Sequence, residues 1–359
     1  MAGFILKRIY YGLFVLLGVV TLVFVLFTIL PGDPARMMLG QRADISSVEA
    51  INRELGRDQP LVMQYLAFVN DLSPVSWHNA SSPGSAWFPD SAKYAPFVTL
   101  VSLGDARVLL KKPYLRRSYQ SKRKVSEILA QSFPNTMLLA TVAMGFAAIL
   151  GIFLGVITAV KKGTWIDQLT TLISVLGMSL PSFFAAIIIA WLFAFVLADY
   201  TGLSMFGSLY TVDDFGRGEY LDLKNLILPA LTLGIRPLAI VIELTRSSML
   251  EVLSQDYIRT AKAKGLGFNR VIYRHALRNA LNPVVTAISG WFASLMAGAV
   301  FVEYVFDWKG IGVVIVDGLE KYDFPIVMGA VLFIAVMLVI INIFVDIIYG
   351  LLDPRIRLA

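Results

Sequence analysis

The chain has 359 residues, 57% of them hydrophobic and 16% charged, with a mean hydropathy of +0.71. That is too apolar for a soluble domain to hide in one core, so lipid is the expected solvent. There is no cysteine and there are two histidines, which excludes disulfides, thiolate nucleophiles and cysteine-held metals, and the net charge of +6 is read as basic cytoplasmic loops rather than a nucleic-acid surface.

Lys7-Arg8 precede an apolar run from Ile9 to Leu30. At about twenty-two residues it outruns a signal-peptide core of about 7–15, and no small-residue cleavage site follows, so residues 1–30 are expected to form a retained transmembrane helix. Runs long enough to cross a bilayer recur at about 135–160, 169–198, 225–245, 284–305 and 325–350, giving an all-α integral membrane protein of about six transmembrane helices with both termini on one side.

Between the first two spans lies a long loop, 31–133. Val48, Ile51, Leu55, Val62, Tyr65, Leu66 and Val69 keep helical spacing over 44–70, interrupted by Pro60, which predicts two short helices. From Ser73 to about Pro96 the Ser-, Pro-, Trp- and Asn-rich composition predicts irregular loop. The basic run from Lys111 to Lys124 falls in this loop, whose length removes it from the charge rule for short loops.

Short-loop charge sets the orientation. Lys7, Arg8, Lys161, Lys162, Arg246, Arg259, Lys262, Lys264, Arg270, Arg274, Arg278, Arg355 and Arg357 mark one side as cytoplasmic; Asp199, Asp213, Asp214, Glu219, Asp222, Glu303, Asp307, Asp317, Glu320 and Asp323 dominate the other. Both termini are therefore expected in the cytoplasm.

Within the spans, Ala147, Gly151 and Gly155, and again Gly290, Ser294 and Gly298, place small residues on one helix face; this suits ordinary close packing or an interface lining a movable pathway. Pro181 frees a carbonyl in the third span, as a hinge or as a bend. Arg236 and Glu243 share a face of the fourth span at two turns' separation, and Asp346 is near the cytoplasmic end of the sixth. Arg236 alone is deep, and the reading is of a bundle-facing residue paired with a carbonyl or a neighbouring helix.

No catalytic constellation is expected. His78 and His275 fall on opposite sides, and no G-x-x-x-x-G-K-[ST] loop is present to cradle a nucleotide. Accordingly no catalytic, cofactor-binding or metal site is assigned.

The 246–283 loop carries the strongest signal. Met249, Leu250, Leu253, Tyr257, Ile258 and Ala261 keep helical spacing; Gly265 and Gly267 break it; Val271, Ile272, Ala276 and Leu277 resume it before Pro283 opens the fifth span. A helix-turn-helix of this kind either lies on anionic lipid or is presented to a cytoplasmic partner.

The segment Asp256-Tyr257-Ile258-Arg259-Thr260-Ala261-Lys262-Ala263-Lys264-Gly265-Leu266, with His275 to Leu281 and Pro283, resembles the "EAA" loop of binding-protein-dependent ABC importer permeases. Arg259-Thr260-Ala261 stands at the EAA triplet, with Arg259 where the motif has Glu. Pro31-Gly32-Asp33-Pro34, Leu55-Gly56, Asp58-Gln59-Pro60-Leu61, Ser179-Leu180-Pro181-Ser182-Phe183, Leu228 to Leu233 and Leu352 to Arg357 are similar to the dipeptide/oligopeptide branch. The likeness covers most of the chain and departs mainly at about 72–113, an apparent insertion.

The resemblance implies the type I permease architecture of ABC importers. It divides the chain into a first helix (1–30), an extracytoplasmic loop region (31–133), a permease core (134–350) and a cytoplasmic tail (351–359). It implies a subunit of the bacterial inner membrane that imports di- or oligopeptides, with a nickel chelate as the alternative solute and a self-contained secondary transporter as the alternative class. A second permease, two cytoplasmic ATPases and an extracytoplasmic solute-binding protein are the implied partners, so the chain itself is no enzyme. Tyr257, Arg259, Thr260, Ala261, Lys264 and Gly265 are the implied ATPase contact.

Overall fold

Hydrocarbon offers a backbone no hydrogen-bond partner, so apolar runs must close their own bonds as helices. A computed structural model describes residues 2–29, 59–81, 85, 87–212 and 218–352. The expected helix over 44–58, the motifs at 31–34 and 55–58, the charges Asp213, Asp214 and Arg217, and the tail from 353 lie outside the described residues.

In chain order the elements are α1 (Ala2–Ile29), α2 (Leu61–Leu72), strands β1 (Val75–Asn79), β2 (Phe97–Leu103) and β3 (Ala106–Lys111), then α3 (Val125–Val160), α4 (Trp165–Ser179), α5 (Ser182–Trp191), β4 (Tyr210–Val212) and β5 (Glu219–Leu221). After these come α6 (Ile227–Leu253), α7 (Asp256–Ala263), α8 (Arg278–Gly298), α9 (Val300–Phe306), α10 (Ile311–Glu320) and α11 (Phe324–Leu352). Four of the described helices are long and apolar enough to cross a membrane, and six spans result if two bent pairs each count as one.

The first bent pair is α4 with Ser182–Val196, turning by 113°. Leu180 is extended at ψ 129 and Pro181 starts the next helix at φ −60, as the clash of a proline ring with the preceding residue dictates. Pro181 therefore makes a corner, sharper than either a bend or a kink. The second pair, Arg270–Met296 with α9, turns by 58°. Here the expectation that Pro283 opens the span is corrected: α8 begins at Arg278, continues a π-helical stretch Arg270–Leu277, and carries Pro283 inside it. The expected start followed proline's preference for a first turn, which a continuous helix overrode.

The chain divides into two compact units, one of residues 2–131 with 314–339, the other of 132–313 with the chain from 340 onward. In the first, Val23 and Phe24 of α1 pack with Phe68 of α2 and with Met328 and Leu332 of α11, and the Thr21 and Tyr65 hydroxyls are 2.7 Å apart. The same unit holds an antiparallel sheet in the order β1-β3-β2, so the region expected to be irregular contains a strand. Its alternation is inverted: Ser76 and His78 are buried while Val75 and Trp77 are exposed. Polar residues turned inward conceal a strand from hydrophobic periodicity.

Those polar residues form a network. His78 Nε2 lies 2.9 Å from Ser76 Oγ, and its ring meets Tyr94. The Tyr94 hydroxyl donates to Asp71 at 2.6 Å, and Lys111 Nζ donates to the Asp71 carbonyl at 2.6 Å while lying over the Tyr94 ring. Burial pushes the Asp71 carboxyl up, the Lys111 ammonium down to about 8 and the His78 imidazole down, the last also repelled by Lys111. Asp323, expected as a loop charge, is buried and accepts from Ser118 Oγ and from the Tyr119 and Gln120 amides.

In the second unit, α6 is the element against which α3, α4, α5 and α8 are packed. A Cβ on Gly155 would stand 2.5 Å from Thr245 Cβ, and one on Gly151 2.7 Å from Val241 Cγ1, so the first small-residue pattern is helix packing. Gly290 has nothing within 4 Å. Glu303, also expected in an outer loop, is fully buried in α9; its Oε2 accepts from the Gly312 amide at 2.6 Å.

His78 sets a pH dependence. Its folded pKa is depressed, so its contribution is complete above the ordinary value of 6.5 and is lost as pH falls below it, when the unfolded chain takes up the proton. Protease resistance of the 75–111 segment is expected to decline from pH 7 to 5 in wild type and to decline less in His78→Gln; equal profiles would contradict the assignment. Asp71, whose folded pKa is raised by burial, works against this decline in both proteins.

Candidate functional site

The 246–283 loop builds a knob on a small core of its own. α6 ends at Leu253 with tightened bonds from the Ser254 amide to the Glu251 carbonyl and from Gln255 to Val252, and α7 starts at once with Asp256 in its first turn, where a carboxylate suits the positive end of a helix. Thr260 Oγ donates to the Asp256 carbonyl at 3.0 Å.

α7 is amphipathic in the strict sense. Ile258 is fully buried and Ala261 nearly so, and they meet Met249 of α6, Val156 and Ala159 of α3, and Val271, Ile272, Ala276 and Ala280 of the returning helix. The helix closes with Gly265 at φ +76. The Leu266 amide donates to the Ala261 carbonyl and the Gly265 amide to Lys262, the paired bonds of a Schellman stop, with Leu266 packed on the core beneath. A Cβ at Gly265 would meet open space, so the glycine is required by backbone conformation alone.

Of the residues the sequence singled out, Tyr257, Arg259, Thr260, Lys264 and Gly265 are exposed and Ala261 faces the core. Arg259 reaches Asp256 at 3.3 Å with 76% of its side chain exposed, and the Tyr257 hydroxyl accepts from Asn279 Nδ2 at 2.9 Å. Sequence reasoning missed Phe268 and Tyr273, at 62% and 59% exposure; large aromatics in a polar basic loop were the available signal. It also missed the residues that hold the knob.

The firmest of these is an ion pair 79 positions apart. Arg246 Nε donates to Asp167 Oδ1 at 2.6 Å and Arg246 Nη2 to Oδ2 at 3.0 Å, while the Gly163 amide donates to the same Oδ2 at 2.9 Å. The Asp167 side chain is 6% exposed. The two-pronged match of guanidinium and carboxylate ties the end of α6 to the start of α4 and to the turn that follows α3.

Two outcomes are expected. Ile258→Ala should cost about 2–5 kcal/mol of local stability, read as faster hydrogen exchange of α7 amides with the spans unaffected; unchanged exchange would show that the core does not hold the helix. Arg246→Ala leaves Asp167 with the Gly163 amide alone and should cost about 1–3 kcal/mol, with Asp167→Asn/Arg246→Gln milder than Arg246→Ala in thermal unfolding.

Residues 151–358 match the family model described as binding-protein-dependent transport system inner membrane component, and residues 1–85 match the corresponding N-terminal model. The chain is 35% identical, over 99% of both chains, to the di/tripeptide transport system permease protein DppB of Pseudomonas aeruginosa, and 35% identical at the same coverage to the dipeptide permease DppB of Escherichia coli K12. A glutathione transport system permease protein, GsiC of Pectobacterium atrosepticum, is 34% identical over 99% of each chain. In fold, the chain is similar to the MetNI methionine ABC transporter in an inward-facing form, with a TM-score of 0.51 at 15% identity, covering 64% of this chain and 97% of that one.

Proposed function

This chain belongs to the family of binding-protein-dependent transport system inner membrane components, and from that premise we propose that it is the permease subunit through which an ATP-driven importer passes short peptides. End-to-end similarity to permeases named for dipeptide, di/tripeptide and glutathione transport is the observation that carries the reading. It favours a peptide over a metal chelate, and a subunit of an assembly over a self-contained carrier.

In this reading both termini and the 246–283 loop face the cytoplasm, where two ATPase subunits bind the loop. A second permease completes the pathway, and an extracytoplasmic binding protein delivers the solute. The chain's own work is mechanical. Tyr257, Arg259, Thr260 and Lys264, with Phe268 and Tyr273, form the exposed surface of the knob. Ile258, Ala261 and the Gly265 stop make it stiff, so displacement by a closing ATPase pair reaches α6 through Met249 and α4 through the Arg246–Asp167 pair. Hydrolysis belongs to the ATPases.

Affinity capture from detergent-solubilised native membranes tests the assembly. Wild type is expected to recover two ATPases and a second permease. Gly265→Pro, or Tyr257→Ala with Arg259→Glu, should lose the ATPases and retain the permease. A wild-type chain that purifies alone would overturn the reading.

A further inference from the structure

A charged side chain in a membrane span is costly to bury and almost always faces a bundle interior or a water-filled path. Arg236 lies thirteen residues into the segment Leu223–Leu253, about 20 Å from its outer end at ~1.5 Å per residue. α6 is otherwise heavily buried, with Thr232, Leu233, Pro237 and Ala239 covered around Arg236, yet Arg236 is exposed. Among the described residues no carboxylate pairs with it; its guanidinium lies 5.9 Å from the centre of the Trp291 ring on α8, a cation–π distance. The expected bundle partner is thus an aromatic face, which leaves the guanidinium's donors available.

Two turns further along the same face stands Glu243, half-buried. Its charge acts on Arg246, and Arg246 is committed to Asp167 by both of its bonds. Glu243 has no ion-pair partner among the described residues. Ser247, exposed, continues the face. α6 therefore displays a fixed positive group and a fixed negative group on one line, about 10.5 Å apart along the helix axis. Beside it, α8 exposes Asn282, Gly290 and Ser294, where the open space at Gly290 leaves backbone accessible.

We propose that Arg236 and Glu243 form a recognition site for the two charged ends of a short peptide in transit, Arg236 taking the C-terminal carboxylate and Glu243 the N-terminal ammonium. The proposal rests on the peptide-import reading above. The charges fit a zwitterion in that order, and an extended chain of about three residues at ~3.3–3.6 Å each spans the gap. The planar guanidinium fork matches a carboxylate, while Trp291 holds it in place and excludes water on one side. Side chains of the peptide meet Gly290 and Ser294, small enough to leave their identity unread, so the site recognises termini and length.

The complete transporter, reconstituted in proteoliposomes with saturating binding protein, tests this by uptake per ATP hydrolysed. The probes are trialanine, trialanine amide and N-acetyl-trialanine. For trialanine, Arg236→Gln is expected to lower coupled uptake about tenfold, the loss of a charge-assisted contact, with Arg236→Lys in between and the subunits recovered in wild-type proportion. Trialanine amide should be taken up equally by wild type and Arg236→Gln, and Glu243→Gln should show the same indifference toward N-acetyl-trialanine. Equal trialanine uptake by wild type and Arg236→Gln would overturn the site while leaving peptide import intact. Loss of the second permease from the Arg236→Gln complex would also overturn it, assigning Arg236 to an acidic group of that subunit. Wild-type complex that imports no trialanine would overturn both readings.

Discussion

Everything in this chain follows from the cost of leaving a polar group unsatisfied in a medium without water. Hydrocarbon forces the backbone into helices, and it sorts the charges into three treatments. Glu303 is enclosed, its carboxylate given to the Gly312 amide at the start of α10; Gly310 and Gly312 lack the Cβ that would collide with it. Asp167 and Arg246 neutralise each other with both prongs. Arg236 and Glu243 receive neither treatment. Beside the enclosed Glu303 and the clamped Asp167, these two charges, without an ion-pair partner among the described residues, mark where a ligand could complete the arrangement.

α6 is where these treatments converge. One helix carries the unpaired Arg236 at mid-span, the clamp at Arg246 and the knob's floor at Met249. Gly234 allows the Ala143 carbonyl within 2.9 Å of where a Cβ would be, and Gly155 brings α3 against Thr245. A helix seated this closely along much of its length is suited to the mechanical role proposed for it, because close-packed interfaces are bistable and do not deform gradually.

The sequence made the spans legible because about twenty apolar residues have few other uses, and it made the knob legible because glycine at a helix stop has a conformational reason. It concealed three things. The corner at Pro181 was visible as a proline but not as a turn of 113°, since the angle depends on what α4 and α5 pack against. The strand β1 was hidden because its buried side chains, Ser76 and His78, are polar and satisfied by each other. The Asp167–Arg246 pair was hidden because Arg246 reads as an ordinary loop cation, and nothing at a separation of 79 positions announces a partner.

The last two of these features share a physical character. Each is a polar group whose value depends on a second group brought to it by the fold, and composition records only the first. Arg236 differs in that the fold brings it an aromatic ring and, among the described residues, no anion. Its charge was visible in the sequence as a cost; the structure adds that no carboxylate offsets it among the described residues. A charge fixed at mid-span, braced by Trp291 and aligned with an opposite charge two turns away, is preorganised for a ligand that arrives with both signs.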